Sequence, residues 1–403
     1  MKNILILTYW SYKNALIQSY TLPYVRIIKK NLPEQSKIFL LTIEQGLFKM
    51  SDNEWDEEST KLKQEGIHLI RIKYDHFGIK MILRMVTLFF SLKKLIKTES
   101  INRIHAWCTP AGALGYFLSL FTRKPLIIDS YEPHAEAMVE NGSWSRSSIK
   151  FKLLFWLEKK QSQKADTVIA LTKGMKEYAK KKYSATFKKH YVKPAMVDLN
   201  KFEWDIQTYH SLREKNNLNN KIVCLYAGKL GGIYLEDEVF DFFKAAYEHW
   251  GDRLQIFLLT DKSTKEVDIK LLRKEIPPTC IKTKFVDYKE IHSYFKMADF
   301  AINPVKPVPS KRYCTSIKDG EYWASGLPII ITKNISDDSD IIEQNNIGYV
   351  LKNLTKQEYQ MACKHMDLLL QEDRVSLNQK IREIAIKYRD FEIAEEIYKN
   401  IYL

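Results

Sequence analysis

The sequence predicts an α/β protein made of two successive doubly wound, Rossmann-like units with parallel sheets. With 403 residues the chain exceeds one ordinary hydrophobic core, so two domains are the default expectation. Short β-branched runs alternate with segments long enough for crossover helices, which is typical of a parallel sheet covered on both faces. This alternation breaks off near the middle of the chain and then starts again. We therefore expect two units that face a central cleft, with ligands bound beyond the carboxyl ends of the strands.

The expected strands are short apolar runs between polar or turn-forming segments. In the first half they cover residues 4–7, 38–43, 69–72, 104–107, 126–128, 168–171 and 191–192, and in the second half 222–227, 254–260, 281–286, 300–302, 329–331 and 349–351. Polar residues interrupt the strands around 194–221. We place a first domain at residues 1–197, a second at 198–385 and a terminal helix at 386–403.

The charge balance favours anionic partners. The sequence contains 63 Lys and Arg against 49 Asp and Glu, a net charge of +14. Such an excess suits nucleotides, phospholipid surfaces, lipid phosphates or nucleic acid, although a Lys-, Ile- and Asn-rich genome produces it too. No aromatic-basic recognition motif is present, which argues against nucleic acid.

Cysteine usage and hydropathy indicate a reducing, cytoplasmic setting. The five cysteines are odd in number and far apart, with no C-x-x-C pair, so neither a disulfide framework nor a zinc site is expected. The first apolar run is too short for a signal-peptide core, and no stretch of 18 uninterrupted apolar residues predicts a membrane span.

Residues 310–328 are the most informative stretch of the chain. Ser316 suits the N-cap of a short helix, with Asp319 three residues later in the position of a capping-box acid. Gly326 and Pro328 would end this helix before a buried strand.

This helix start has a chemical meaning. Its free N–H groups favour an anion, and Lys311, Arg312 and Lys318 add positive charge nearby. Glu321, one turn further, offers carboxylate oxygens to the adjacent hydroxyls of a ribose. The pattern outlines a nucleotide site, and a basic surface loop before an ordinary helix is the alternative.

Two helices raise the question of a membrane contact. In residues 76–97 the side chains Lys80, Arg84, Thr87, Ser91 and Lys94 form one polar line, and nearly everything else is apolar. A basic helix resting on an anionic membrane explains so wide an apolar arc. A helix packed inside the first domain explains it as well, and we slightly favour that interpretation. The segment 149–160 poses the same question.

A polar loop follows the strand at 126–128. It contains Asp129, Glu132, His134 and Glu136, which suit the alignment or deprotonation of an acceptor hydroxyl. Each of them taken alone is more often a cap or a surface charge. The Asp cluster at 337–340 predicts a helix start rather than a metal site.

Several segments, in order along the chain, resemble the GT-B glycosyltransferases of the family 4 type, which are retaining, nucleotide-sugar-dependent enzymes of surface polysaccharide pathways. The segments are 165–172 (similar to AD-x-V-I-A-x-S), 194–202 (P-N-G-V-D-x-x-x-F), 226–230 (Y-x-G-R-L), 297–304 (x-A-D-x-x-x-x-P) and 318–328 (K-x-x-E-Y-x-A-x-G-x-P). Residues 8–24, with Gln18, resemble the N-terminal loop of one subgroup, so Gln18 joins the acceptor-side candidates.

The resemblance implies roles for individual positions. Glu321 would bind the donor ribose, and Gly228 with Lys229, where the family usually has Arg, would meet the diphosphate. Thr315 and Ser316 would donate to the phosphates, with Lys318 beside them. Lys311 and Arg312 lie in the equivalent basic loop, and the C-terminal helix would cross back to the first domain.

The implied reaction moves a sugar, with retention, from a nucleoside diphosphate sugar to a glycan or lipid-linked acceptor in bacterial capsule, exopolysaccharide or lipopolysaccharide synthesis. Lys229 and Lys318 would stabilise the leaving diphosphate, His134 and Glu136 would serve the acceptor, and no metal or other cofactor is expected. The expected location is cytoplasmic, with a possible peripheral contact with an anionic membrane.

Three departures from the family pattern bear on these implications. Tyr313 stands where the family has a second Glu, which often touches the donor sugar. The loop 231–238 lacks the usual phosphate-binding Lys, and residues 14–20 lack glycine. A catalytically silent nucleotide-binding or scaffold protein of a membrane complex is therefore the alternative, and a nucleotide-sugar epimerase of the same fold is a related one.

Overall fold

The computed structural model describes residues 2–74, 78–288 and 290–403, which form two compact units. Unit 1 comprises Met1–Pro194 and Glu392–Leu403, and unit 2 comprises Ala195–Phe391. The units divide after Pro194 and Phe391, whereas the predicted boundaries lie after residues 197 and 385.

Unit 1 contains a seven-stranded parallel sheet of order β3-β2-β1-β4-β5-β6-β7. Its strands are β1 Asn3–Leu7, β2 Ile38–Glu44, β3 Ile67–Lys73, β4 Ile101–Trp107, β5 Leu126–Tyr131, β6 Thr167–Ala170 and β7 Lys189–Val192. Its helices are α1 Leu22–Lys30, α2 Asp52–Gln64, α3 Ile79–Thr98, α4 Cys108–Thr122, α5 His134–Glu140, α6 Ile149–Lys164, α7 Met175–Tyr183 and, from the C-terminal segment, α16 Phe391–Tyr402. A π-helical segment, Leu16–Thr21, precedes α1, and Gly46–Phe48 forms a 3-10 turn.

Unit 2 contains a six-stranded parallel sheet of order β10-β9-β8-β11-β12-β13. Its strands are β8 Ile222–Ala227, β9 Leu254–Leu259, β10 Ile281–Lys284, β11 Phe300–Asn303, β12 Ile329–Thr332 and β13 Gly348–Leu351. Its helices are α8 Ile206–Lys215, α9 Asp237–Trp250, α10 Thr264–Arg273, α11 Ile291–Met297, α12 Ile317–Ala324, α13 Asp338–Asn345, α14 Lys356–Leu370 and α15 Arg374–Arg389. Short 3-10 turns occupy Leu199–Phe202, Gly251–Arg253, Pro278–Cys280 and Pro309–Tyr313.

The apolar runs become strands because helices cover both faces of each sheet. Every residue of β1, β2, β5, β9, β11 and β12 is buried, as expected where a parallel sheet lies between two helical layers. In unit 2 two apolar clusters lie on the opposite faces of the sheet, around Phe257 and Trp323 on one side and Phe240 and Ile256 on the other. The predicted class, two parallel-sheet α/β domains, is confirmed.

The strand order reverses once in each sheet. In unit 1 the reversal lies between β1 and β4, and in unit 2 between β8 and β11. Loops that leave the carboxyl ends of two such strands diverge and open a crevice, which is where open α/β sheets bind ligands. The strand order alone therefore points to the loops after β8 and β11.

Two smaller expectations have a structural answer. Helix α3 forms over the described part of the predicted segment 76–97, of which residues 76 and 77 lie outside the described residues. None of the helices in the described ranges combines the length and the hydropathy that crossing a bilayer requires.

Candidate functional site

The strongest candidate site lies in unit 2, at the carboxyl edge of the sheet where the strand order reverses. Gly228 follows the last residue of β8, and α12 begins after the loop that leaves β11. Tyr288 follows β10 at the same edge. Gly228 and most of the residues noted in 310–328 therefore lie near one another at this edge of the sheet.

The start of α12 differs from the prediction in one respect. Ser316 does occupy the N-cap position, but its side chain makes no capping hydrogen bond. The predicted capping-box acid, Asp319, is buried and accepts a 2.6 Å bond from Asn303 Nδ2 instead. The first-turn N–H groups therefore lack a side-chain cap, and the buried Ser316 Oγ has no hydrogen-bond partner within the described residues. Uncapped N–H groups at a helix start can bind an anion.

Lys318 lies across Gly228, the glycine that follows β8. A Cβ placed on Gly228 would come within 2.4 Å of Lys318 Cε, and the backbone there has φ +154°. Lys318 Nζ donates to Tyr234 Oη at 2.7 Å and lies 4.0 Å from the centroid of the Tyr234 ring. Glycine at 228 thus leaves the space in which the ammonium group sits.

Glu321 is a buried acid that accepts a hydrogen bond from Tyr288. Its side chain is buried, and Tyr288 Oη donates to Oε1 at 2.9 Å. Burial raises the pKa of Glu321 to about 7, although the bond from Tyr288 and the charge of Lys318 lower it. A buried carboxyl group that lacks a full set of donors is costly to keep ionised, and a diol could supply the missing donors.

A buried ion pair supports the loop before α12. Arg389 Nη2 lies 2.5 Å from Asp338 Oδ1, and Arg389 Nη1 donates to Thr315 Oγ1 at 2.6 Å. Burial and the charge of Asp338 raise the pKa of Asp319 well above its usual value, and burial also raises the pKa of Asp338. Because Arg389 donates to Thr315, the hydroxyl proton of Thr315 can point toward a ligand.

The other basic candidates of unit 2 occupy three different environments. Lys229 is the most exposed of them and lies 3.8 Å from Asp261 Oδ2. Arg312 pairs with Asp340 at 2.5 Å and donates to the carbonyl of Ser336 at 2.8 Å, so its guanidinium is engaged within the protein. Lys311 is a mostly buried residue.

In unit 1 the prediction for Asp129 needs a correction. It is fully buried, its carboxylate forms an ion pair with Lys193 Nζ at 3.2 Å, and it makes hydrogen bonds with His105 Nε2 at 3.3 Å and Tyr398 Oη at 2.6 Å. Burial raises the pKa of Asp129, but the charge of Lys193 and these hydrogen bonds outweigh burial and lower the pKa to about 2. Asp129 is therefore part of the interior of unit 1 and does not face an acceptor.

The remaining acceptor-side candidates lie in three different environments. His134 Nδ1 and Glu132 Oε1 lie 3.3 Å apart, and both side chains are partly exposed. Glu136 is buried and accepts from Tyr178 Oη at 2.6 Å. Gln18 is exposed, and its amide donates to the carbonyl of Tyr12 at 2.7 Å.

The Asp cluster at residues 337–340 has the predicted structural role. It begins α13, where Asp337 is the N-cap residue and Asp338 and Asp340 lie in the first turn. Within the ranges that the structure describes, no group of three or more His, Cys, Asp or Glu side chains is arranged to hold a metal ion.

Several residues of these sites do not emerge from the sequence analysis. Tyr234 and Tyr288 come to Lys318 and Glu321 from other loops, and Arg389 reaches Thr315 from the end of α15. None of the three lies in a matched motif. For Tyr288 a signal did exist, because it follows a predicted strand at the ligand-binding edge of the sheet.

Two family models match the chain, and together they cover more than half of it. Residues 52–201 match the model described as Glycosyltransferase Family 4, and residues 308–384 match the model described as Glucosyltransferase 3-like, C-terminal domain. The second match contains the whole of α12. A search of curated proteins found no sequence that matches this one.

Solved structures with the same fold cover the chain from end to end. HepE from Anabaena in complex with UDP has a TM-score of 0.72 and 14% identity, over 100% of this chain and 99% of that one. The glycosyltransferase WaaG of lipopolysaccharide biosynthesis has a TM-score of 0.68 and 13% identity, over 99% of each chain. Sucrose-phosphate synthase from Thermosynechococcus elongatus has a TM-score of 0.71 and 13% identity, over 100% of this chain and 98% of that one.

Proposed function

The chain belongs to the GT-B glycosyltransferases of the family 4 type, and we propose that it transfers a sugar from a nucleoside diphosphate sugar to a glycan or lipid-linked acceptor with retention of configuration. The donor would bind in unit 2 at the start of α12. Surface polysaccharide synthesis, as of capsule, exopolysaccharide or lipopolysaccharide, is the proposed pathway class.

The proposal depends most on Glu321. It is a buried acid whose described partner is one tyrosine hydroxyl and whose pKa is raised to about 7. A ribose places two adjacent hydroxyl donors at the right spacing for the two oxygens of one carboxylate. HepE, which shares the fold, was solved with UDP and with UDP-glucose, and this supports a nucleotide sugar as the donor.

The diphosphate would lie at the start of α12. As the anomeric C–O bond breaks, negative charge grows on the leaving diphosphate while the sugar gains oxocarbenium character. Lys318, Lys229, the hydroxyl of Ser316 and the uncapped N–H groups of α12 would stabilise that charge. Donors held in place before the reaction are the main source of such stabilisation.

On the acceptor side we propose the pair of Glu132 and His134. These two side chains are partly exposed and 3.3 Å apart, so His134 can accept a proton from a hydroxyl while Glu132 stabilises the imidazolium. Glu136, being bonded to Tyr178, would orient this turn. We further propose that the enzyme works at an anionic membrane surface, where lipid-linked acceptors are found.

A thermal-shift panel of UDP, ADP, GDP and their sugar derivatives tests the donor site. The preferred nucleotide should raise the melting temperature, because a ligand that binds only the folded state stabilises it. Glu321→Ala should largely abolish the shift. No hit in the panel would count heavily against the proposal.

A catalytically silent nucleotide-binding or scaffold protein is the second candidate, and Tyr313 is the observation that favours it. Where the family has a Glu that often touches the donor sugar, this chain has a tyrosine at the end of a 3-10 turn. Steady release of nucleoside diphosphate with a membrane extract as acceptor supports the transferase. Nucleotide binding without turnover supports the silent protein.

A further inference from the structure

Three helices of unit 1 form a continuous layer on one face of its sheet. Helices α3, α4 and α6 all connect strands in the direction from β3 toward β6. Right-handed crossovers place such helices on the same face. Helix α3 packs against α4, and α4 packs against α6.

The outer surface of this three-helix layer is unusually apolar. Phe90 and Phe121 are 61% and 62% exposed, and Ile149 is 76% exposed. The other large apolar side chains exposed on the layer are Leu83, Val86, Phe117, Leu120, Leu153 and Trp156. The buried side of α3 is formed by Leu88, Leu92 and Ile96, so the exposed residues are not part of its core contact. The slightly favoured prediction, a helix packed inside the domain, is therefore wrong for the outward face of α3. Apolar exposure on this scale marks an interaction surface.

The charges of the same layer have a single sign. Five Lys or Arg residues lie on α3, none on α4 and five on α6, and the one acid of the three helices, Glu158, is fully buried. These cations are Lys80, Arg84, Lys93, Lys94, Lys97, Lys150, Lys152, Lys159, Lys160 and Lys164. Lys93, Lys94 and Lys97 form no ion pair with any acid in the described part of the chain.

A groove between α3 and α4 combines both properties. Its volume is about 680 Å³, and Lys93, Lys94, Lys97 and Lys124 line it together with Phe90 and Phe121. Lys93 Nζ lies 5.9 Å from the centroid of the Phe121 ring, and Phe121 packs edge to face with Phe89. Four ammonium groups beside exposed phenyl rings match a phosphate headgroup above an acyl chain.

We propose that the three-helix layer docks on an anionic phospholipid bilayer, with lipid phosphates in the groove between α3 and α4. The Phe, Leu, Ile and Trp side chains would enter the boundary between headgroups and acyl chains, and the lysines would contact phosphates. A second copy of the chain is a poor occupant, because two acid-free basic faces repel each other. Nucleic acid would not account for exposed aliphatic side chains. The biological role of this docking rests on the proposed function, because a lipid-linked acceptor lies in a membrane.

Vesicle co-sedimentation of the full chain tests the proposal. Phosphatidylglycerol vesicles should bind the protein, phosphatidylcholine vesicles should bind it at least tenfold more weakly, and added salt should weaken the binding. Lys93→Glu/Lys94→Glu/Lys97→Glu should lower the partition coefficient by at least about tenfold. Phe90→Ser/Phe121→Ser should lower it too, and this second variant does not depend on the charge reversal being tolerated.

A matched control distinguishes an effect of the three-helix layer from an effect of the protein's net charge. Lys215→Glu/Lys265→Glu/Lys364→Glu makes the same change of charge on exposed lysines of unit 2 and should bind vesicles within about threefold of the unaltered chain. Equal loss in both triple variants, equal binding to both vesicle types, or preferential binding of a DNA duplex would overturn the proposal. So would a change from dimer to monomer in Lys93→Glu/Lys94→Glu/Lys97→Glu without lipid.

Nucleotide binding distinguishes the two proposals. The melting shift produced by the preferred nucleoside diphosphate should be the same in the Lys93 triple variant as in the unaltered chain. Vesicle binding without any nucleotide shift would leave the membrane inference standing while the proposed function fails.

Discussion

At the scale of single residues, the ionisation of Glu321 is linked to ligand binding. Burial raises its pKa to about 7 against an ordinary value of 4.5, so the folded protein disfavours the charged form. This penalty on folding stability is absent below the ordinary pKa, grows as the pH rises from 4.5 to about 7, and is constant above that. A ribose that donates two hydrogen bonds favours the charged form and offsets the penalty.

Nucleotide affinity should therefore depend on pH. Below pH 7 a ligand that needs the carboxylate must first remove a proton, so at pH 6 the affinity should be about tenfold lower than at pH 8. Titration calorimetry of the preferred nucleoside diphosphate at both pH values measures the ratio, corrected for the phosphate's own titration with a 2′-deoxyribose analogue. Glu321→Gln should remove the dependence. A ratio unchanged in Glu321→Gln would assign the pH effect to another group.

Tyr288 donates to Glu321 Oε1, so in the proposed complex it would compete with a ribose hydroxyl for that oxygen. Removing its hydroxyl in Tyr288→Phe should free Oε1 and raise nucleotide affinity by about two- to twelvefold, because a competing hydrogen bond of about 0.5–1.5 kcal/mol disappears. The control is Tyr294→Phe, whose hydroxyl contacts Lys284 at 3.3 Å instead. A loss of affinity in Tyr288→Phe would show that this hydroxyl serves the ligand rather than competing with it.

At the scale of elements, the site depends on the loop that leaves β8. Gly228 and Gly232 both have positive φ, at +154° and +63°, but only at Gly228 would a side chain meet Lys318. Gly228→Ala should push the ammonium group aside and lower nucleotide affinity by more than about tenfold, through displacement of a charge-assisted hydrogen bond donor. Fluorescence or calorimetric titration measures this.

Gly232→Ala is the matched control for that change. It imposes a positive φ on alanine in the same loop, in open space, and should alter nucleotide affinity by less than about threefold. If both variants lose affinity equally, backbone strain is responsible and the contact with Lys318 is not.

The elements themselves could be predicted from the sequence for a simple reason. Parallel strands covered on both faces are uninterrupted apolar runs, and each of the thirteen predicted runs overlaps a strand. The sequence also predicted where α12 starts, but it did not predict that Ser316 makes no capping hydrogen bond. Ser316 and Asp319 have the right spacing for a capping box, yet a tertiary contact with Asn303 draws Asp319 inward.

At the scale of the whole molecule, the limit of sequence reasoning is long-range pairing. Asp129 follows a predicted strand, and the local sequence does not tell whether its side chain is buried or exposed to solvent. Its partner Tyr398 is 269 residues away on α16, within unit 1. Lys193, whose Nζ lies 3.7 Å from the centroid of the Tyr24 ring, completes a buried cluster with Asp129 and Tyr398. Nothing in the local sequence predicts this cluster.

This cluster predicts a stability effect confined to unit 1. Lys193→Met leaves the buried carboxylate of Asp129 without its cation and should destabilise the protein by about 3–5 kcal/mol. Chemical denaturation measures the loss, and Asp129→Asn combined with Lys193→Met should recover part of it. The nucleoside diphosphate should still bind the Lys193→Met protein under conditions where it is folded. Equal stability of Lys193→Met and the unaltered chain would contradict the ion pair.

The central claim is that a nucleoside diphosphate binds unit 2 with its ribose on Glu321, and calorimetric titration of UDP, ADP and GDP into the unaltered chain, Glu321→Gln and Glu158→Gln tests it most directly. Glu158 is the matched control, because it is a buried acid of unit 1 whose pKa burial also raises to about 7. We predict that one nucleotide binds the unaltered chain and Glu158→Gln alike and binds Glu321→Gln at least about tenfold more weakly. Equal binding to Glu321→Gln and the unaltered chain, or no binding to any of the three proteins, would contradict it.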